Sequence, residues 1–165
     1  MEFDFADAHC HLDSFLNFSE KNINEKILYI SSGYSEESNK KNMQIAQKYS
    51  NVFFTAGISP QEAIKYENID QKIIEWEDEI LEMAKNKKLV AIGEIGLDYH
   101  WSKREVEKRR QIDCFYSQLH LAEKLSLPVV IHSRDAEEEC VNILESFNLN
   151  FMLHYFSGKA DIAKK

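Results

Sequence analysis

His9 and His11 stand two positions apart near the start of the chain, at the end of a short apolar-rich run. In a strand that spacing puts both imidazoles on one face, able to point into a single cavity. Taken alone, such a pair is also what two partly exposed histidines at a strand end look like. Glu94 lies between Gly93 and Ile95 inside an apolar stretch. A carboxylate there is costly unless a cation accompanies it, either a metal ion or a buried basic side chain. His132 closes the run Val-Val-Ile-His and His154 closes Phe-Met-Leu-His; each by itself reads equally as a satisfied core histidine. Together, His9, His11, Glu94, His132 and His154 form a donor set of nitrogen and carboxylate without thiolate. That chemistry suits zinc, manganese or a related divalent ion. The lone carboxylate could bridge two ions, which would activate water and clamp the oxygens of an in-line displacement at phosphorus.

The elements that must carry these residues alternate regularly. Apolar runs at Phe3–His11, Ile27–Gly33, Val52–Ile58, Leu89–Ile95, Val129–His132 and Phe151–Phe156 read as six strands. Between them lie helical segments. One covers Ser35–Tyr49 with a weak apolar stripe, and another repeats Ile69, Ile73, Trp76, Ile80 and Met83 at three- and four-residue steps. A long third runs through Ile112, Phe115, Tyr116, Leu119 and Ala122 to near Ser126, with Pro128 just beyond. Asp135 is expected to cap a fourth, which carries Cys140, Leu144 and Phe147, with Glu137–Glu139 suited to the positive end of its dipole. Strands without clean period-two polarity, alternating with helices, predict an α/β fold with a parallel sheet. The periodicity leaves open whether the sheet is doubly wound or part of a barrel. In both, the active site forms where the strands end, and the five donors lie at the ends of four strands.

Composition excludes several classes. The 165 residues are 44% hydrophobic and 12% aromatic, which suits one folded domain over residues 1–165 rather than a disordered or repetitive chain. A net charge of −8 argues against a basic groove tracking nucleic acid, but not against a site that meets phosphate through bound cations. Cys10, Cys114 and Cys140 are far apart and without a Cys-x-x-Cys pair, so buried reduced thiols are expected. No run of 18 apolar residues and no basic segment ahead of an apolar one are present. Neither a membrane span nor a secretory signal is expected, and the expected location is the cytoplasm.

Four segments together carry a resemblance. They are Asp7-Ala8-His9-Cys10-His11-Leu12-Asp13, Gly93-Glu94-Ile95-Gly96-Leu97-Asp98-Tyr99, Leu127 to Ala136 (LPVVIHSRDA), and His154-Tyr155-Phe156-Ser157-Gly158. In this order, across essentially the whole chain, they resemble the TatD family of metal-dependent deoxyribonucleases, a branch of the amidohydrolase-like TIM barrels. The resemblance implies that His9 and His11 hold one divalent ion, that His132 and His154 hold a second, and that Glu94 bridges them as the central catalytic group. The ions would be magnesium, manganese or zinc. It implies hydrolysis of phosphodiester bonds in DNA or short oligonucleotides, commonly as a 3′-to-5′ exonuclease. Arg134 is then a candidate phosphate contact through its fork of donors, or a surface ion pair. Ser157 and Gly158 are candidates for offering backbone amides to phosphate, or an ordinary turn. Asp98 either orients a ligand or caps the turn that follows it.

Where the family usually carries Gly-Ile-His-Pro-His, this chain reads Gly57-Ile58-Ser59-Pro60-Gln61, and Ser59 and Gln61 could hydrogen-bond a substrate. An eight-stranded barrel typically needs about 250 residues. The 165 residues supply six of eight strands, an incomplete barrel corresponding to the N-terminal two-thirds of the family's fold. The family's strand-eight aspartate has no counterpart here. The expected consequences are weakened activity of this chain alone and self-association through open barrel edges. The alternatives are a hydrolase of a small amide or ester, motivated by Ser59 and Gln61, and a catalytically impaired remnant that still binds metal.

Overall fold

The computed structural model describes residues 2–15 and 23–164. Six parallel strands, β1 (Phe5–Cys10), β2 (Ile27–Ser32), β3 (Val52–Ala56), β4 (Leu89–Asp98), β5 (Val129–Arg134) and β6 (Phe151–His154), lie side by side in chain order. Each strand pairs with its successor, the order of a barrel and not of a doubly wound sheet, whose order reverses at a switch point. The sheet curls with helices packed on it, the α/β architecture of a nearly closed TIM-type barrel.

The helices are α1 (Glu36–Lys48), α2 (Pro60–Ala63), α3 (Ile69–Met83), α4 (Glu105–Leu125) and α5 (Glu137–Leu144). Ser35 caps α1 by accepting from the Ser38 amide. Helix α4 begins seven residues before the apolar stripe that announces it, because its first turns are charged and exposed. Phe115, Leu119 and Ala122 on its inner face are fully buried in a core shared with Phe54, Ile92, Ile95 and Ile131. Burial of each phenylalanine, leucine or isoleucine among these is worth about 1.5–3 kcal/mol. The helix stops at Ser126, whose φ of 54° is left-handed, and Pro128 follows two residues later.

Three expectations need correction. Strand β4 runs on to Asp98, because its register with β5 continues to the Asp98–Arg134 pair. Strand β6 ends at His154, since Tyr155 turns into the left-handed region at φ 47°. Asp135 does not cap α5. Its own φ is 54°, Ala136 occupies the capping position without a side-chain bond, and the Asp135 carboxylate instead meets His100 Nδ1 at 3.1 Å.

Burial is uneven across the sheet. Strands β3, β4 and β5 are almost wholly buried, whereas the first four residues of β1 are exposed, with Phe5 72% accessible. No helix among the described residues is long and apolar enough to cross a membrane.

Candidate metal centre

Two β-bulges aim the central groups. Between Asp7 and Cys10, β1 uses three steps where β2 uses two, and His9 falls inside this irregularity. Between Ile92 and Ile95, β4 likewise gains one residue over β5, and the bulge holds Gly93 and Glu94. A bulge bends its strand and redirects a side chain. Here it turns Glu94, only 8% exposed, toward the ends of β1 and β5. The bulge is held by the Glu94 amide donating to the Gly33 carbonyl at 2.6 Å and by the Thr55 hydroxyl donating to the Gly93 carbonyl at 2.7 Å. Gly96, with φ +132°, lets β4 resume its register: a Cβ there would sit 2.1 Å from the His132 carbonyl oxygen.

Glu94 is the meeting point. Its Oε2 lies 3.6 Å from His9 Nε2 and 3.8 Å from His11 Nε2, and its Oε1 accepts from His132 Nδ1 at 2.8 Å. One ligand atom from each of His9, His11 and Glu94 can be chosen so that all three lie within 4.8 Å of one another. The other ring nitrogens of the first two are fixed by a single residue. His11 Nδ1 donates to the Ser32 carbonyl and His9 Nδ1 pairs with the Ser32 hydroxyl, both at 3.0 Å. The bond from His11 leaves its Nε2 as the nitrogen with a lone pair. A second partner on the far nitrogen is the usual setting of a metal-ligating histidine. His9 Nε2 is buried and has no hydrogen-bond partner.

Those observations test whether a divalent ion fits. Tetrahedral ligands at the zinc–nitrogen distance stand about 3.4 Å apart, close to the separations found here. A buried nitrogen without a partner is costly, and an ion would supply that partner. Burial, reinforced by the neighbouring His154, holds His9 down to about 4 against its ordinary 6.5, so its lone pair stays free at neutral pH. For Glu94, burial pushes upward. The His132 bond and the surrounding imidazoles outweigh it and leave the carboxyl below its ordinary value, ionised. The residues fit the group.

His132 and His154 occupy different settings. His132 lies between two carboxylates, Glu94 on Nδ1 and Asp98 on Nε2 at 3.1 Å. Burial lowers its pKa, but these two acids more than reverse that and raise it. A ring that donates from both nitrogens is protonated, so ligation by His132 would exchange one carboxylate for the ion. His154 stacks on His9 with ring centroids 3.6 Å apart. Burial first, then repulsion from His132 and His11, hold its pKa down despite Glu94.

Asp98 fills both roles open in the sequence. Its Oδ1 accepts from the amides of His100 and Trp101, closing the turn after β4, while its Oδ2 faces His132 and Gln61. Gln61 thus points its amide at Asp98, and Ser59 caps α2 by accepting from the Glu62 amide. A cleft of about 410 Å³, lined among others by His11, Tyr34, Gln61, Glu94 and His132, opens over the group.

Arg134 is exposed, makes no ion pair among the described residues, and lies over the Trp101 ring at 5.6 Å. Ser157 and Gly158 line a separate depression of about 610 Å³ with Tyr99 and Glu137, and the Ser157 hydroxyl donates to Glu137 at 2.6 Å. That depression shares no lining residue with the cleft. The sequence reading missed Ser32; its one visible signal is the polar Ser-Ser-Gly that closes the apolar β2.

Comparison with known proteins places the chain in a family. Residues 6–165 match the family described as TatD related DNase. YabD of Bacillus subtilis (strain 168), named as an uncharacterized metal-dependent hydrolase, is 31% identical over 144 residues, 86% of this chain and 52% of that protein. The 3′-5′ ssDNA/RNA exonuclease TatD of Escherichia coli (strain K12) is 30% identical over 129 residues, 76% of this chain and 46% of that one. The crystal structure of YJJV, a TatD homolog from Escherichia coli K12, superposes with a TM-score of 0.81 at 28% identity, covering 97% of this chain and 63% of that chain. The chain spans about half to two-thirds of the length of these relatives. With the family match running through all six strands and every candidate ligand, the chain belongs to the TatD-related DNase family.

Proposed function

We propose that this chain forms the metal-binding part of a phosphodiesterase that hydrolyses single-stranded DNA or short oligonucleotides. The observation that carries the reading is the partnerless, buried His9 Nε2 beside Glu94 Oε2 and His11 Nε2. In this reading His9, His11 and Glu94 hold one divalent ion, and Glu94, His132 and His154 hold a second. When bound, the ions activate water and neutralise the charge that grows at phosphorus. The protein's own contribution is positional. Ser32 fixes two imidazoles, Asp98 holds His132, and burial keeps bulk water away from the Glu94 carboxylate. Arg134 meets a phosphate of the substrate, and the amides of Ser157 and Gly158 serve a further one in the second depression. The named activity of the Escherichia coli TatD exonuclease supports this substrate class. An amide or ester hydrolase gains no support from Ser59 and Gln61, which are committed to capping α2 and to Asp98.

The test is metal content after dialysis against manganese or zinc, with degradation of a labelled single strand measured in parallel. Wild type is expected to retain divalent ion, and His9→Ala, His11→Ala and Glu94→Gln to lose it at least tenfold more readily. Equal retention by the variants, or cleavage that is indifferent to chelation, overturns the reading.

A further inference from the structure

Trp101 is 66% exposed in the turn after β4, an unusual place for so large an apolar surface to be left in water. It is not adrift. Its backbone amide bonds the same Asp98 carboxylate whose other oxygen faces His132, so the backbone that carries the indole is tied to the network of the candidate centre. The His100 ring meets it edge-on at 4.6 Å, and His100 is itself tied to Asp135. Over the indole lies the guanidinium of Arg134, two residues beyond His132 on β5.

The state of that guanidinium is informative. Arg104 and Arg109 are paired with Glu107 and Asp113, and Arg110 donates to the Ile64 carbonyl. Among the described residues Arg134 has no such partner, in a chain with eight more acids than bases. A largely exposed indole and, against it, a planar cation without a carboxylate partner among the described residues match the two parts of a nucleotide. A base stacks on the ring, and the adjoining phosphate takes the fork of donors. Duplex bases are already stacked on both faces, so only an unpaired base can use such a surface.

We infer that Trp101 and Arg134 form a platform for one unpaired nucleotide of a single-stranded nucleic acid, Trp101 stacking the base and Arg134 gripping its phosphate. The inference rests on the phosphodiesterase reading for its substrate class, but its test is independent of cleavage. Trp76, the other tryptophan, is 2% exposed, so quenching by a ligand reports Trp101.

The protein as purified is titrated with a short phosphorothioate-linked oligothymidylate, which resists hydrolysis, and with an abasic strand of the same length and charge. Tryptophan fluorescence and the anisotropy of labelled strands are read. The oligothymidylate is expected to quench the fluorescence and to bind about tenfold or more tightly than the abasic strand. Trp101→Ala should abolish that preference, and Trp101→Phe should retain most of it. Arg134→Ala should flatten the salt dependence by about one counterion. Equal binding of base-bearing and abasic strands, no binding of either, or a Trp101→Ala protein that matches wild type overturns the platform. If the last occurs while ordinary oligothymidylate is still degraded with manganese, only the platform fails. Base-dependent binding at Trp101 by a protein whose His9→Ala, His11→Ala and Glu94→Gln variants retain divalent ion as well as wild type upholds the platform and defeats the phosphodiesterase reading instead.

Discussion

His9, on the first strand, stacks on His154, at the end of the last, with their ring planes inclined by only 15°. Six strands in simple succession bring their outermost members together in this way only if the sheet curls, and the contact lies at the end where the candidate ligands gather. Both rings are held neutral by burial, which lets them pack face to face without repulsion.

That neutrality gives a pH signature in metal-free protein. His9 sits at about 4 in the folded chain and near 6.5 unfolded. As pH falls below 6.5 the unfolded state takes up a proton that the folded state refuses. The stability His9 contributes is therefore complete above pH 6.5 and drains away toward pH 4. His132, raised, works oppositely: its contribution is complete at low pH and lost as pH rises through its folded value. Urea midpoints at pH 7 and pH 5, with chelator, should fall more steeply in wild type than in His9→Asn. Parallel curves would contradict the assignment.

Ser32 holds both imidazoles of the candidate centre. Its hydroxyl pairs with His9 and its carbonyl accepts from His11, so Ser32→Ala removes the first of these bonds and spares the second. Divalent-ion affinity is expected to drop roughly tenfold, measured by calorimetric titration, with the fold intact by circular dichroism.

Asp98 is 1% exposed and serves four donors. Asp98→Ala leaves two amides, a glutamine and an imidazole without an acceptor. A loss of about 3 kcal/mol in denaturant stability is expected, with Asp98→Asn recovering part of it.

At Gly96 the backbone conformation and the 2.1 Å clearance leave no room for a methyl group. Gly96→Ala should cost about 2–4 kcal/mol and displace the carbonyl of His132. Melting temperature and metal titration should worsen together, since the same shift disturbs both.

Much of the fold was legible because apolar runs and three- and four-residue steps survive into the structure. Helix α3 begins and ends at the two residues that bound its stripe, Ile69 and Met83. What escaped was local or three-dimensional. Helix α2 is four residues long, too short for any period. The bulges at His9 and Glu94 leave no mark in composition, yet they decide where the donors point. The weak apolar stripe of α1 has a spatial explanation. Ser38, Asn39 and Asn42 are buried, where Ser38 bonds Asp13 in the turn after β1, Asn42 bonds Ser31 in β2, and Asn39 bonds Gly57 just after β3. The donor residue types were readable from their positions at strand ends, whereas the commitment of His132 to two carboxylates was not.

His9 lies in β1 and His11 one residue beyond it, so both ride on the pairing of β1 with β2. What pins it is Leu12, 3% exposed, whose amide bonds the Ser31 hydroxyl at 3.0 Å. Capture of an ion there would act as a staple across strands β1 and β4, and slowed amide exchange in residues 5–10 would be its trace.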